Sequence, residues 1–126
     1  MNADKNNKVV LEAVGITKSF AGVMALKDVS LQIHRGEVNA IVGENGAGKS
    51  TLMNIFSGVY PDYDGKVLLD GEEVHFASPK QAQQEGISMI HQELNLIPGL
   101  TIAENIFLGK EFINRFGLLD HRRIYK

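Results

Sequence analysis

The stretch Gly43-Glu44-Asn45-Gly46-Ala47-Gly48-Lys49-Ser50-Thr51 constrains this chain more than any other. It fits G-x-x-x-x-G-K-[ST], a loop whose backbone N–H groups converge on phosphate. Three glycines in six positions let the chain turn where Cβ atoms would obstruct both the turn and the approach of an anion. Lys49 adds a mobile positive charge for β/γ-phosphates, and Ser50 a hydroxyl suited to Mg²⁺. Val38-Asn39-Ala40-Ile41-Val42 before the loop reads as a buried strand. Leu52, Ile55 and Phe56 after it stand at helical spacing, so a helix from Lys49 to Ser57 is expected, closed by Gly58. The bland alternative is a glycine-rich turn in a βα unit that holds nothing.

A chain of 126 residues can bury one modest core. A net charge of −2 supplies no electrostatic footprint for nucleic acid. Cysteine is absent, which removes disulfides and thiolate metal sites and fits a reducing compartment. His34, His75, His91 and His121 have no ligand spacing. No apolar run reaches membrane-spanning length, and Met1 to Lys8 are too polar for a signal peptide, so a cytoplasmic protein is expected.

The opening half is strand-rich. Val9 to Val14 has strand composition and leads through Gly15 to Phe20. Ala21-Gly22 then reads as a turn from which Val23 to Leu26 pairs back. Val29, Leu31 and Ile33 alternate with Ser30, Gln32 and His34, the pattern of a half-buried strand. Arg35-Gly36-Glu37 turns toward the strand before the glycine loop. Beyond the loop, Lys66 to Leu69 and Glu72 to Phe76 flank Asp70-Gly71, a two-residue hairpin signal. Glu72 and Glu73 fall on opposite faces of a strand and make no acid/base pair. Ser78-Pro79-Lys80-Gln81 and Thr101-Ile102-Ala103-Glu104 are capping boxes, opening a short helix that ends near Gly86 and another from Ile102 to Leu108. Between them, Ile87 to Ile90 reads as a compact apolar strand.

Taken together, Lys18-Ser19-Phe20, the glycine loop, the Asp70-Gly71 hairpin and Gln92 resemble the start of an ABC-transporter nucleotide-binding subunit. Gly43 to Met53 and His91-Gln92-Glu93-Leu94-Asn95-Leu96-Ile97-Pro98 resemble the first cassette of the monosaccharide importers of ribose, galactose or xylose type. The likeness runs from about Val10 to Leu108. It implies an α/β fold of the P-loop, ABC type, with an N-terminal antiparallel β subdomain and a partial, mostly parallel core sheet. The implied division is a disordered 1–8, the first part of a nucleotide-binding domain at 9–108, and a truncated start of the helical subdomain at 109–126.

The resemblance also implies roles. Phe20 would stack on adenine; the plain alternative is a core Phe in a hairpin. Gly43, Glu44, Asn45, Gly46, Ala47, Gly48, Lys49, Ser50 and Thr51 would hold the phosphates of ATP, with Asn45 beside the γ-phosphate and Thr51 at the α-phosphate. Ser50 and Gln92 would meet Mg²⁺, and Gln92 the attacking water; read without the family, Gln92 is a polar loop residue. The implied activity is ATP hydrolysis that drives sugar import. The implied partners are a second cassette on the same chain or a dimer mate, transmembrane permease subunits and, indirectly, a periplasmic sugar-binding protein, with no nucleic acid. The protein would sit peripherally on the inner face of the cell membrane.

The family's Leu-Ser-Gly-Gly-Gln signature, its apolar strand ending in Asp-Glu and its switch His are not among these residues. The expectation is therefore the N-terminal part of a longer protein, hydrolytically incompetent alone, with the Val38 to Val42 strand short of neighbours. Two other readings remain: a non-transport ABC ATPase associated with translation or repair, and a nonenzymatic folding fragment.

Overall fold

A computed structural model describes residues 8–92 and 96–109. The chain divides into two compact units, Met1–Ile90 and His91–Lys126. In the first unit, strands β1 (Val9–Phe20) and β2 (Val23–His34) form a long hairpin, β3 (Asp64–Leu69) joins β1, and β4 (Glu72–Val74) joins β3. The described sheet is antiparallel throughout, in the order β2-β1-β3-β4. Helices α1 (Lys49–Phe56) and α2 (Pro79–Gln84) complete the unit.

Both hairpins turn where the sequence places them. Ala21 and Gly22 have φ of 46° and 83°, and Asp70 and Gly71 have 50° and 88°. Two consecutive left-handed residues make the turn whose twist matches the twist of the flanking strands. The segments read separately as Val23 to Leu26 and Val29 to His34 are one continuous strand, β2.

The β1–β2 ladder is irregular, and the irregularity places the core. Ala13 faces Leu31 and Ile16 faces Val29, so β1 carries one extra residue around Gly15. Strict alternation from Leu11 and Ala13 would point Gly15 inward. The extra residue hands that position to Ile16, which is fully buried. Gly15 takes φ of 60°, and Gly65 on β3 lies against its carbonyl. Leu11, Ala13, Ile16, Leu26 and Val67 of the sheet then pack with Leu52, Ile55 and Phe56, the apolar stripe of α1.

One cluster of charge ties the sheet's end together. Arg35 Nη2, just past β2, lies 2.7 Å from Asp70 Oδ1 in the β3–β4 turn, and Lys8 Nζ lies 3.6 Å from the same oxygen. The Arg35 guanidinium holds the Asp70 carboxyl below the ordinary aspartate range.

Two expected strands do not form. Val38 to Val42 and Ile87 to Ile90 are irregular, and Val38, Val42 and Ile90 are almost wholly exposed. Their apolar composition favours burial, but a strand exists only as part of a ladder. Neither segment has a paired neighbour among the described residues. The mostly parallel core sheet is accordingly not formed there, while the antiparallel sheet β2-β1-β3-β4 is.

In the second unit, Thr101 and Glu104 form the expected capping box on α3 (Ile102–Ile106). Asn105 ties the preceding loop down, its amide donating to the Leu100 and Thr101 carbonyls at 3.3 and 3.0 Å and accepting from Ile97 N–H at 2.9 Å. No helix among the described residues is long and apolar enough to cross a membrane. The expectations placed on 1–7, on Glu93 to Asn95 and on 110–126 lie outside the described residues.

Two measurements check this account. Gly65→Ala would put Cβ 2.5 Å from the Gly15 carbonyl oxygen, whereas Gly71→Ala meets nothing within 4 Å. Both carry the left-handed penalty of about 1–2 kcal/mol, and only Gly65→Ala adds a clash of about 1–3 kcal/mol. Urea unfolding should therefore rank Gly65→Ala clearly below Gly71→Ala. For Asp70, a depressed folded pKa means a stabilising contribution present above the unfolded value and lost as pH falls through the folded one. An NMR titration should place its midpoint below that of a free aspartate, and Arg35→Ala should move it up.

Candidate functional site

The glycine loop lies between the irregular segment 38–42 and α1. Gly46 and Gly48 both have φ of 85°, a region other residues enter only with strain. At Gly46 an added Cβ meets open space. Gly48 is different: its Cβ would stand 2.5 Å from Leu26 Cδ2 and 2.6 Å from the Ala25 carbonyl oxygen. Ala25 is the extra β2 residue where Lys18 pairs with Leu26 and Ser19 with Met24. The loop's last glycine is thus seated on a bulge of the hairpin, which fixes where α1 begins.

Helix starts leave their first N–H groups without intrahelical partners. Ser78 closes α2 and Thr101 closes α3 with their own side chains. Gly48, the N-cap of α1, has no side chain to offer and makes no side-chain cap hydrogen bond. Those amides and the positive end of the helix dipole suit an anion.

Lys49 folds back across the loop. Its Nζ donates to the Gly43 carbonyl at 2.6 Å and to the Glu44 carbonyl at 2.7 Å. An ammonium has three N–H donors, so one remains after these bonds. Ala47 N–H closes the turn onto the Glu44 carbonyl at 3.2 Å. Asn45 and Ser50 are exposed and Thr51 is half-buried. Gly43 to Thr51 are thus brought together as one loop and first helical turn.

Phe20 ends β1 and pairs with Val23, which lies two residues along β2 from Ala25, or about 7 Å. The residue is 38% exposed, so it is not a core residue, the plain alternative for a hairpin Phe. Tyr60 meets it edge to face, with centroids 5.0 Å apart and planes at 66°. Lys18 Nζ stands 5.1 Å from the Phe20 centroid. Neither neighbour was given a site role by the sequence, although Lys18 belongs to the Lys18-Ser19-Phe20 run. Lys18 had one available signal, since it precedes Phe20 by two on a strand and shares its face; Tyr60 lies in a loop and had none.

Gln92 is exposed and belongs to the second unit. A cavity of about 460 Å³ lies beside Lys18, lined also by Asp62, Tyr63 and His75. It includes no residue of Gly43 to Thr51, so it is separate from the glycine loop.

Comparison with known proteins decides the family. Residues 26–125 match the sequence profile of the ABC transporter family. The chain belongs to the ABC transporter family. Over 117 residues it is 52% identical to a Pseudomonas fluorescens protein provisionally named a ribose/galactose/methyl galactoside import ATP-binding protein, covering 93% of this chain and 23% of that protein. A Burkholderia cenocepacia protein with the same provisional name is 54% identical, over 91% of this chain and 22% of its own length. The chain thus spans about a quarter of the length of the curated relatives it matches. A nucleotide-free ATP-binding cassette from an ABC transporter superposes with a TM-score of 0.73 at 29% identity, covering 93% of this chain and 45% of that one. The ADP conformation of an ATP-binding cassette gives 0.65 at 25% identity, covering 94% and 50%. The chain therefore has the ABC ATPase fold, with its small antiparallel sheet as the best-formed described part.

Proposed function

We propose that this chain is the ATP-holding part of an ABC import ATPase that energises uptake of a monosaccharide. One observation carries the reading: a glycine loop with two left-handed residues leads into a helix start that has no side-chain cap, and Lys49 folds back across that loop. Family membership and two relatives named for ribose/galactose/methyl galactoside import support the substrate class.

The chain's own residues bind and orient. The N–H groups of Gly46, Gly48 and Ser50 would donate to the β- and γ-phosphates. Lys49, held by two loop carbonyls, is already aimed across the loop and turns a donor toward the phosphate. Phe20 offers a partly exposed ring at the hairpin end as a platform for adenine. The Ser50 hydroxyl at the exposed helix start fits a hard, oxygen-seeking cation, and the exposed Gln92 offers an amide oxygen suited to a cation of the same kind. Mg²⁺, when bound with ATP, neutralises charge on the β- and γ-oxygens.

In the whole protein, ATP hydrolysis would be coupled to permease subunits at the inner face of the membrane, with a second cassette completing the site. Residues 9–108 would form the first part of the nucleotide-binding domain and 109–126 the beginning of its helical subdomain.

Calorimetric titration with ATP and with inorganic tripolyphosphate separates the two halves of the site. Lys49→Ala should weaken both ligands by about tenfold to a hundredfold, the worth of a hydrogen bond to a charged group. Unchanged affinity would mean that the cradle is not used. Phe20→Ala should weaken ATP by about fivefold to a hundredfold and leave tripolyphosphate alone, as expected for loss of one base–aromatic stack. Preference for GTP over ATP would remove adenine from the Phe20 platform.

A further inference from the structure

The Phe20 ring does not stand alone. Tyr60 packs on it at 5.0 Å. Lys18 Nζ lies 5.1 Å from the Phe20 centroid and 6.0 Å from the Tyr60 centroid, and donates to the Asp62 carbonyl. Lys18 therefore pins the loop after α1 to the end of β1, with its ammonium over both rings. Tyr60 is also tied to the helix. Its N–H donates to the Asn54 carbonyl at 3.2 Å, and Val59 N–H donates to the same oxygen at 2.8 Å. Gly58, left-handed at φ 72°, makes the exit from α1 that this geometry needs.

We infer that Tyr60, clamped by Lys18, is a positioning residue that fixes the Phe20 ring as the base-stacking platform. The inference rests on the nucleotide reading above. Two physical reasons lead to it. A partly exposed Phe at a hairpin end loses rotamer freedom when a base stacks on it, and a ring already packed against Tyr60 has lost that freedom beforehand. Moreover, α1 begins at the phosphate loop and its C-terminal end carries Tyr60. A helix of eight residues is a rigid spacer of about 12 Å. The residue supporting the base platform is therefore anchored on the element that presents the phosphate cradle, and base and phosphate sites keep a set separation.

The test measures ATP and tripolyphosphate affinity on the full chain, wild type and variants. Tyr60→Ala should weaken ATP by about threefold to tenfold, the effect of freeing one ordered side chain, with tripolyphosphate unchanged. Tyr60→Phe keeps the ring and should restore ATP affinity. In a Phe20→Ala background, Tyr60→Ala should have no further effect on ATP, because nothing is left to position. Independently of any ligand, aromatic carbon relaxation should show the Phe20 ring ordered in wild type and Tyr60→Phe, and mobile in Tyr60→Ala. Lys18→Met should give the same ATP-selective loss, and it carries the test if Tyr60→Ala does not fold. Unchanged ATP affinity in the Ala variant would overturn the inference, as would equal weakening of both ligands or additive effects of the Phe20 and Tyr60 substitutions. Failure of the nucleotide reading has a different signature, since wild type would then bind neither ATP nor tripolyphosphate.

Discussion

The first unit depends on the seat of Gly48 against β2. A backbone at φ 85°, with no space for a Cβ beside the Ala25 carbonyl and Leu26, brings the start of α1 into contact with the hairpin. Any other residue there would face both the left-handed penalty and a clash with backbone, which cannot step aside as a side chain can. Once the helix starts at that point, its 3.6-residue period directs Leu52, Ile55 and Phe56 onto the sheet beside Leu26. The same seat leaves the helix N-terminus uncapped and turned toward the glycine loop. Core packing and the placing of the glycine loop therefore follow from one contact.

The hairpin is shaped to provide that contact. Its two long strands are not in simple register: β1 has an extra residue near Gly15 and β2 one at Ala25. The first keeps Ile16 in the core, and the second makes the place where Gly48 sits. Bulges of this kind also bend and twist a strand, which is how a sheet end can meet a helix start at close range. The cluster of Lys8, Arg35 and Asp70 binds the opposite end of the sheet, but as exposed charges these groups add little beyond alignment.

The glycine loop and Phe20 belong together because α1 and the hairpin hold both. Either alone is a common feature. An aromatic ring at a strand end stacks on many things, and a glycine-rich loop before a helix is a frequent turn. What links them is that β2 runs from the partner of Phe20 to the seat of Gly48, while α1 runs from Gly48 back toward Tyr60. The exposed apolar residues Val38, Val42 and Ile90 mark the other side of the picture. They have the composition of buried strands, and burying each would be worth about 1.5–3 kcal/mol, but no ladder among the described residues receives them.

The sequence by itself determined what depends on a few neighbouring residues. Ala21-Gly22 and Asp70-Gly71 specify their turns through backbone angles, and Ser78 and Thr101 specify helix starts through bonds three residues away. The glycine loop specifies its own curvature in the same way. Only the tertiary structure decided which apolar segments became strands, which face of β1 entered the core and what stood beside Phe20. Each of those depends on a partner distant in the chain: Val29 for Ile16, Tyr60 for Phe20, Ala25 for Gly48. Hydropathy and spacing report how much a residue gains from burial, but burial requires a surface to be buried against, and that surface exists only once the distant segments have met.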